Sequence, residues 1–161
     1  MQHHYSHTIV IDSKQLQTYQ SINATAVKPN YHEAIQLLNL PKRADQRVEQ
    51  LMPYGEALLN LTGAAIVTVT LDTEGVIVFK QNQPAFHLPT TPAPANYASG
   101  AGDTFVSALA LALTANASAI AATSLATSAT AIAVSQPGTT VCTAAELRQS
   151  LGSLYATLEH C

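Results

Sequence analysis

The chain has 161 residues, of which 47% are hydrophobic and 11% charged, and its formal net charge is −3. This composition excludes intrinsic disorder, and the length is enough for a domain with a hydrophobic core. The absence of a lysine or arginine cluster argues against nucleic acid or an anionic membrane surface as a partner. We therefore expect a single domain over residues 1–161, with residues 1–7 as a flexible terminus.

Apolar runs and helical patterns alternate through the first half of the chain. The short β-branched runs are typical of buried strands, and Pro29 ends one of them just before a helix-capping asparagine, Asn30. In chain order the predicted elements are a strand at 8–12, a short helix or turn at 15–21, a strand at 25–28, a helix from Asn30 to about 39, and a helix at 47–61 interrupted near Pro53 and Gly55.

The second half of the chain repeats this alternation. Residues 104–145 carry no charged side chain, but serine, threonine and asparagine dilute the apolar run, so we interpret it as two buried helices of a soluble protein rather than a membrane span. The predicted elements are a strand at 64–71, a turn at 72–75, an antiparallel strand at 76–79, a strand at 85–88, two helices separated at 114–117, and a helix at 144–158. This order predicts an α/β fold whose strands 8–12, 25–28 and 64–71 are parallel and central.

The cysteines and the N-terminus predict a cytoplasmic location. Cys142 and Cys161 lack metal-ligand spacing and fit a reducing compartment. The first residues show no charged segment followed by an apolar core, so no secretory signal is visible.

The most informative motif is Gly100-Ala101-Gly102-Asp103, directly before an apolar helix. Small residues expose backbone N–H groups, and a helix start adds unpaired donors and a positive dipole end, so the turn can bind an anion. Asp103 adds a carboxylate that can accept a proton. An anion site beside a base is what phosphoryl transfer to a hydroxyl requires. The alternative is an aspartate that simply caps a buried helix after a glycine turn.

Several further motifs occur together with this one. The sequence resembles the PfkB, or ribokinase-like, carbohydrate kinases, and its tail resembles the heptose-phosphate kinase branch, the kinase domain of ADP-heptose synthase. The motifs that carry the resemblance are, in chain order, Asp12-Ser13-Lys14, Lys28-Pro29-Asn30-Tyr31-His32-Glu33, Thr70-Leu71-Asp72-Thr73-Glu74-Gly75, Gly100-Ala101-Gly102-Asp103-Thr104-Phe105, and Gly138-Thr139-Thr140-Val141 with Glu146-Leu147.

The resemblance implies a three-layer α/β sandwich with a mostly parallel sheet, and an ATP-dependent, Mg²⁺-assisted kinase acting on a sugar or sugar phosphate. It implies that Asp103 is the catalytic base and that Gly100, Ala101 and Gly102 form the anion hole. Asn30 and Glu33 would act near the magnesium ion and the phosphates. The implied nucleotide-binding residues are Lys14, Thr70, Asp72, Gly75 and Thr127.

Each of the minor motifs also has a purely structural interpretation. Asn30 and Glu33 have the spacing of a capping box, residues 70–75 that of a hairpin turn, and Lys14 can be a solvated lysine. The chain also departs from the family pattern, with Tyr97 in place of an aspartate, Asp72 in place of a glycine, and Thr127 in place of an asparagine.

Kinases of this family are considerably longer than this chain, so the resemblance covers only their C-terminal, nucleotide-binding half. The expected partners are a nucleotide, a small sugar, and either a second copy of the chain or a missing N-terminal half. The alternative function is a degenerate or split-kinase module that binds a nucleotide or a partner without catalysis. The acceptor sugar is not determined by the sequence.

Overall fold

The computed structural model describes residues 7–89, 100–135 and 142–150. A five-stranded sheet forms the centre of this part of the chain, and its strands lie side by side in chain order. The strands are β1 (Val10–Ile11), β2 (Ala26–Val27), β3 (Ile66–Thr70), β4 (Val76–Lys80) and β5 (Phe86–Leu88). All five were predicted, although the hydrogen-bonded ladders of β1, β2 and β3 are shorter than the apolar runs that indicated them.

The sheet is mixed. Strands β1, β2 and β3 are parallel, as predicted, whereas β4 and β5 each run antiparallel to the preceding strand. Helical connections link the parallel strands, while the short turn between β3 and β4 permits only an antiparallel pair. One prediction is corrected: β1 lies at the edge of the described sheet rather than at its centre.

Five α-helices that both begin and end within the described residues surround the sheet: α1 (Tyr31–Leu37), α2 (Arg47–Leu51), α3 (Gly55–Thr62), α4 (Ala101–Thr114) and α5 (Ala119–Val134). The interruption predicted near Pro53 is confirmed by a 3-10 turn at Met52–Tyr54, and the predicted turn at 15–21 is a 3-10 helix at Leu16–Ile22. Residues 144–150 are helical, and the rest of the predicted final helix lies outside the described residues. No helix within the described ranges could span a membrane.

The helices form a layer on each face of the sheet. Along β3, Val67 and Val69 face a core cluster that contains Leu58 of α3, whereas Ile66 faces a second cluster with Leu109 of α4. This division follows from the two-residue period of a strand. Buried alanines of α4 and α5 let the second layer pack closely. The result is the predicted three-layer α/β sandwich.

The three parallel strands have their carboxyl ends on the same side of the sheet, which we call the carboxyl edge, and this arrangement positions the candidate site. Asp12 follows β1, Lys28 follows β2, and the backbone N–H of Thr70 at the end of β3 donates to the carbonyl of Pro29 at 3.1 Å. Next to this hydrogen bond, Asn30 and Thr70 form an isolated parallel β-bridge. The carboxyl edge of β1, β2 and β3 therefore gathers residues that are far apart in the sequence.

Candidate functional site

Helix α4 begins at the carboxyl edge, within the small-residue motif rather than after it. Gly100 occupies the N-cap position with φ 81°, a left-handed conformation that suits glycine, and the helix starts at Ala101. The first intrahelical hydrogen bond runs from the Thr104 N–H to the Gly100 carbonyl, at 2.9 Å. The N–H groups of Ala101, Gly102 and Asp103 therefore precede the intrahelical ladder, and the last two residues are exposed. These donors can receive an anion.

Asp103 is the third residue of α4 and does not cap it. No side chain caps this helix, and Asp103 forms no hydrogen bond or ion pair with any described residue. The interpretation of Asp103 as a structural cap is therefore wrong. A carboxylate in the first turn is favoured by the helix dipole, and an exposed one is accessible to a substrate proton.

An ion pair lies beside the start of α4. Lys28 Nζ is 3.2 Å from Asp12 Oδ2, and the lysine side chain is only 7% exposed while that of Asp12 is 33% exposed. A Cβ placed on Gly102 would lie 3.8 Å from Asp12 Oδ2 and 4.0 Å from Lys28 Nζ. The two opposite charges of this ion pair thus lie next to the start of the helix, with the Asp12 carboxylate slightly nearer to Gly102 than the Lys28 ammonium.

Asn30 and Glu33 form a complete capping box at the start of α1. The Glu33 N–H donates to Asn30 Oδ1, and the Asn30 N–H donates to Glu33 Oε2, each at 2.9 Å. Their structural interpretation is therefore confirmed, and their magnesium role stays a prediction. The box leaves Glu33 Oε1 and one lone pair of Asn30 Oδ1 unused, and such oxygens are what Mg²⁺ prefers. Within residues 7–89, 100–135 and 142–150, no three His, Cys, Asp or Glu side chains lie close enough together to hold a metal ion.

The predicted nucleotide loop forms a 3-10 turn, Asp72–Glu74, between β3 and β4. Asp72 has φ 54°, so it adopts the left-handed conformation of the glycine that the family pattern has there. Gly75 has φ 94°, and a Cβ on it would lie 2.1 Å from the Leu88 carbonyl oxygen. Packing against β5 accounts for this glycine, and a nucleotide contact of Gly75 stays a prediction.

The Asp72 carboxylate is paired. Arg47 Nη1 lies 2.9 Å from Asp72 Oδ2, and the Arg47 backbone N–H donates to Glu74 Oε2 at 3.0 Å. The loop is thereby attached to the first residue of α2. The sequence predicts no site role for Arg47 or for the pair Asp12–Lys28. Asp12 and Lys28 do lie in motifs that carry the family resemblance, each at the end of an apolar strand, whereas Arg47 has no such signal.

Two predicted nucleotide-binding residues, Lys14 and Thr127, share no hydrogen bond or ion pair with the other predicted site residues in the described part of the chain. Lys14 is exposed, and no ion pair in the described ranges involves it. The Thr127 hydroxyl lies on α5 and donates to the Thr123 carbonyl at 2.9 Å. Their roles stay predictions. Tyr97, Ala98 and the motif at 138–141 lie outside the described residues.

A cavity of about 600 Å³ lies elsewhere, lined in part by Gly63, Ala64 and Lys80. These residues are at the amino end of β3 and the facing end of β4, whereas α4 begins at the carboxyl end of β1 and β2. The cavity is therefore separate from the motif that carries the proposed chemistry.

Residues 3–146 match the family described as "pfkB family carbohydrate kinase". The chain is 36% identical over 140 residues to the "Bifunctional protein HldE" of Caulobacter vibrioides, a match that covers 86% of this chain and 28% of the relative. A second relative of the same name, from Bradyrhizobium diazoefficiens, is 32% identical over 143 residues, covering 89% of this chain and again 28% of the relative. The chain thus spans little more than a quarter of these relatives.

The fold is similar to those of solved kinases. Phosphofructokinase-2 from Escherichia coli, in complex with substrates and products, superposes with a TM-score of 0.74 at 25% identity, covering 91% of this chain and 47% of that one. Ribokinase from Arabidopsis thaliana, complexed with ribose and ATP, gives a TM-score of 0.70 at 21% identity, covering 89% and 47%. The ribokinase-like fold is thereby confirmed.

Proposed function

The chain belongs to the pfkB family of carbohydrate kinases, and from this membership we propose that it binds ATP and transfers the γ-phosphoryl group to a hydroxyl of a sugar or sugar phosphate. The observation that carries the proposal is the start of α4, where N–H donors adjoin the exposed carboxylate of Asp103, which has no partner among the described residues. The relatives named HldE, together with the motif at 138–141, favour a heptose phosphate as the acceptor.

In the proposed reaction, Asp103 takes the proton of the acceptor hydroxyl as its oxygen forms a bond to the γ-phosphorus. The bond between that phosphorus and the β,γ-bridging oxygen breaks, and ADP leaves with the electron pair. The N–H groups of Gly102 and Asp103 donate to the oxygens of the transferring group. The ion pair of Lys28 with Asp12 lies beside this region.

Magnesium fits the oxygen donors at the carboxyl edge. Glu33 Oε1 and the free lone pair of Asn30 Oδ1 would hold it together with the phosphates, and when bound it would neutralise phosphate charge. Thr70, Asp72 and Gly75 would face the nucleotide, and Lys14 and Thr127 would also contact it. We propose the cytoplasm as the location, since ATP is available there.

The acceptor needs more contacts than this site supplies. The chain covers 47% of phosphofructokinase-2, so we propose that further acceptor-binding residues come from a longer polypeptide or from a partner, including a second copy of the chain. Holding the hydroxyl in line with the phosphorus is what makes the base effective.

The experiment is an ADP-release assay with a panel of sugars and sugar phosphates, on the 161-residue chain and on the whole gene product where the gene encodes more. Asp103→Asn should lower kcat by about 10²-fold or more, the scale of removing a general base. Asp45→Asn, which neutralises another exposed carboxylate, is the matched control and should leave kcat unchanged. An unchanged rate in Asp103→Asn would remove Asp103 from this role.

A second candidate function is nucleotide binding without catalysis. The coverage of only 47% of phosphofructokinase-2 favours it, because a nucleotide site can persist in a chain that does not by itself hold an acceptor in line. Calorimetry with ATP and ADP separates the two functions: binding without turnover in the whole gene product supports the second, and turnover excludes it.

A further inference from the structure

We propose that Arg47 neutralises Asp72 and so makes the loop at 72–75 compatible with nucleotide phosphates. The inference rests on the proposed function, in which this loop lies against the nucleotide. Arg47 Nη1 is 2.9 Å from Asp72 Oδ2, and the carboxylate is itself 72% exposed. An exposed carboxylate without a cation beside it would repel a phosphate approaching the loop.

Arg47 is fixed in place rather than mobile. Its side chain is only 17% exposed, and its guanidinium carbon lies 4.7 Å from the centre of the Tyr31 ring, which is a cation–π geometry. Tyr31 is buried and in turn donates to Gln50 Oε1 at 2.7 Å. The positive charge is therefore held against the loop before any ligand arrives, at little further entropic cost.

The loop is also fixed from its other side. The Glu74 carbonyl lies 2.6 Å from His87 Nε2 on β5, and Gly75 packs against the Leu88 carbonyl. Because β5 holds the loop independently of α2, neutralising Arg47 removes the compensating charge without detaching the loop. The effect of the Arg47 charge on ATP binding can thus be measured separately from any effect on the geometry of the loop.

Asp72 and Arg47 act as a pair in this proposal. Asp72 has the left-handed backbone conformation that glycine adopts freely, so an aspartate meets the conformational requirement while adding a charge. Glu74 Oε1 lies 3.6 Å from Arg47 Nε, so the one cation is shared between two carboxylates. Arg47 is accordingly a positioning residue that sets the loop potential, without contacting the reacting atoms.

The test is calorimetry of ATP and of adenosine binding to the wild type, Arg47→Met, Asp72→Asn and the double variant. Asn tolerates the left-handed conformation, so Asp72→Asn removes only the charge. Arg47→Met should weaken ATP binding about three- to tenfold, the scale of a partly exposed charge interaction, and leave adenosine binding unchanged. The double variant should bind ATP within about twofold of the wild type, because the two charges that cancel have both been removed.

Arg43→Met is the matched control. Arg43 lies four residues before Arg47, its side chain is exposed, and it forms no ion pair with the described residues, so the substitution removes an equal charge away from Asp72. It should leave ATP binding unchanged. Asp72→Asn alone, an exposed substitution, keeps the test possible if Arg47→Met does not fold: it should tighten ATP binding about two- to fivefold.

Three results would overturn the inference: an equal loss for adenosine, ATP binding by the double variant as weak as that of Arg47→Met alone, or unchanged or weaker ATP binding in Asp72→Asn. If the wild type does not bind ATP at all, the proposed function itself is contradicted. This outcome is distinguishable from the three results above, which concern Arg47 and Asp72 alone.

Discussion

Lys28 and Asp12 are sixteen residues apart in the sequence, yet their side chains form an ion pair at 3.2 Å at the carboxyl edge of the sheet. Parallel pairing of β1 with β2, in which Ile11 is opposite Val27, brings the next residue of each strand together. The pair lies beside Gly102 at the start of α4. It links the central sheet to the motif on which the proposed chemistry depends.

The two members of this pair should differ in their effect on stability. Asp12→Asn leaves a buried ammonium uncompensated and should lower the free energy of unfolding by about 2–4 kcal/mol. Lys28→Met leaves a carboxylate that is one-third exposed and can be hydrated, so it should cost only about 1 kcal/mol. Urea denaturation measures both. Equal losses would show that burial of the lysine does not decide the energetics.

Two glycine substitutions should separate structure from function. Gly102→Ala introduces a methyl group at ordinary contact distances, 3.8 Å from Asp12 Oδ2, so stability should be unchanged or raised by up to about 1 kcal/mol through helix propensity. The methyl group would cover the exposed donors of α4, so kcat/KM should fall about tenfold or more. Thermal denaturation and the ADP-release assay measure the two effects.

Gly75→Ala provides the contrasting case. Its φ of 94° disfavours alanine, and the new Cβ would collide with the Leu88 carbonyl oxygen. We expect a loss of about 2–4 kcal/mol in the free energy of unfolding, measured by urea denaturation. Stability similar to that of Gly102→Ala would contradict the packing explanation for this residue.

Substitutions of the two capping-box residues should affect protein stability and magnesium dependence differently. Asn30→Ala should lower the free energy of unfolding by about 1 kcal/mol, because the Glu33 N–H loses its acceptor. Glu33→Gln keeps the capping bond and should change stability by less than about 0.5 kcal/mol. If Glu33 also serves the metal, Glu33→Gln should still raise the Mg²⁺ concentration needed for half-maximal activity. An unchanged requirement would leave these residues as a cap alone.

Cys142 should react slowly with alkylating reagents. Burial, followed by the negative charge of Glu146, raises the pKa of its thiol above the usual range of a cysteine. The thiolate fraction at a given pH is therefore smaller in the folded than in the unfolded chain, and unfolding becomes more favourable as the pH rises through the unfolded pKa. Iodoacetamide kinetics against pH, in a Cys161→Ser background, measure this, and a midpoint at or below that of a free thiol would contradict it.

The sequence alone was sufficient for the α/β class, the parallel direction of the first three strands and most element positions, because apolar periodicity and the Pro and Gly signals are local. The break near Pro53 and the division at 114–117 are examples. Strand lengths were overestimated, since an apolar run predicts burial but the ladder ends where the neighbouring strand ends. The start of α4 was placed three residues late because Gly102 and Asp103 are weak helix formers that the fold nevertheless includes in the helix.

The motif at 100–103 could be found from the sequence because its donors and its carboxylate are adjacent in the chain. Only the tertiary structure decided that Asp103 has no partner among the described residues, that Lys28 is buried beside Gly102, and that Arg47 pairs with Asp72. Such pairs form only after strands and helices far apart in sequence are brought into register. Their strength then depends on burial and on the local dielectric, which are properties of the packed chain rather than of any short segment of it.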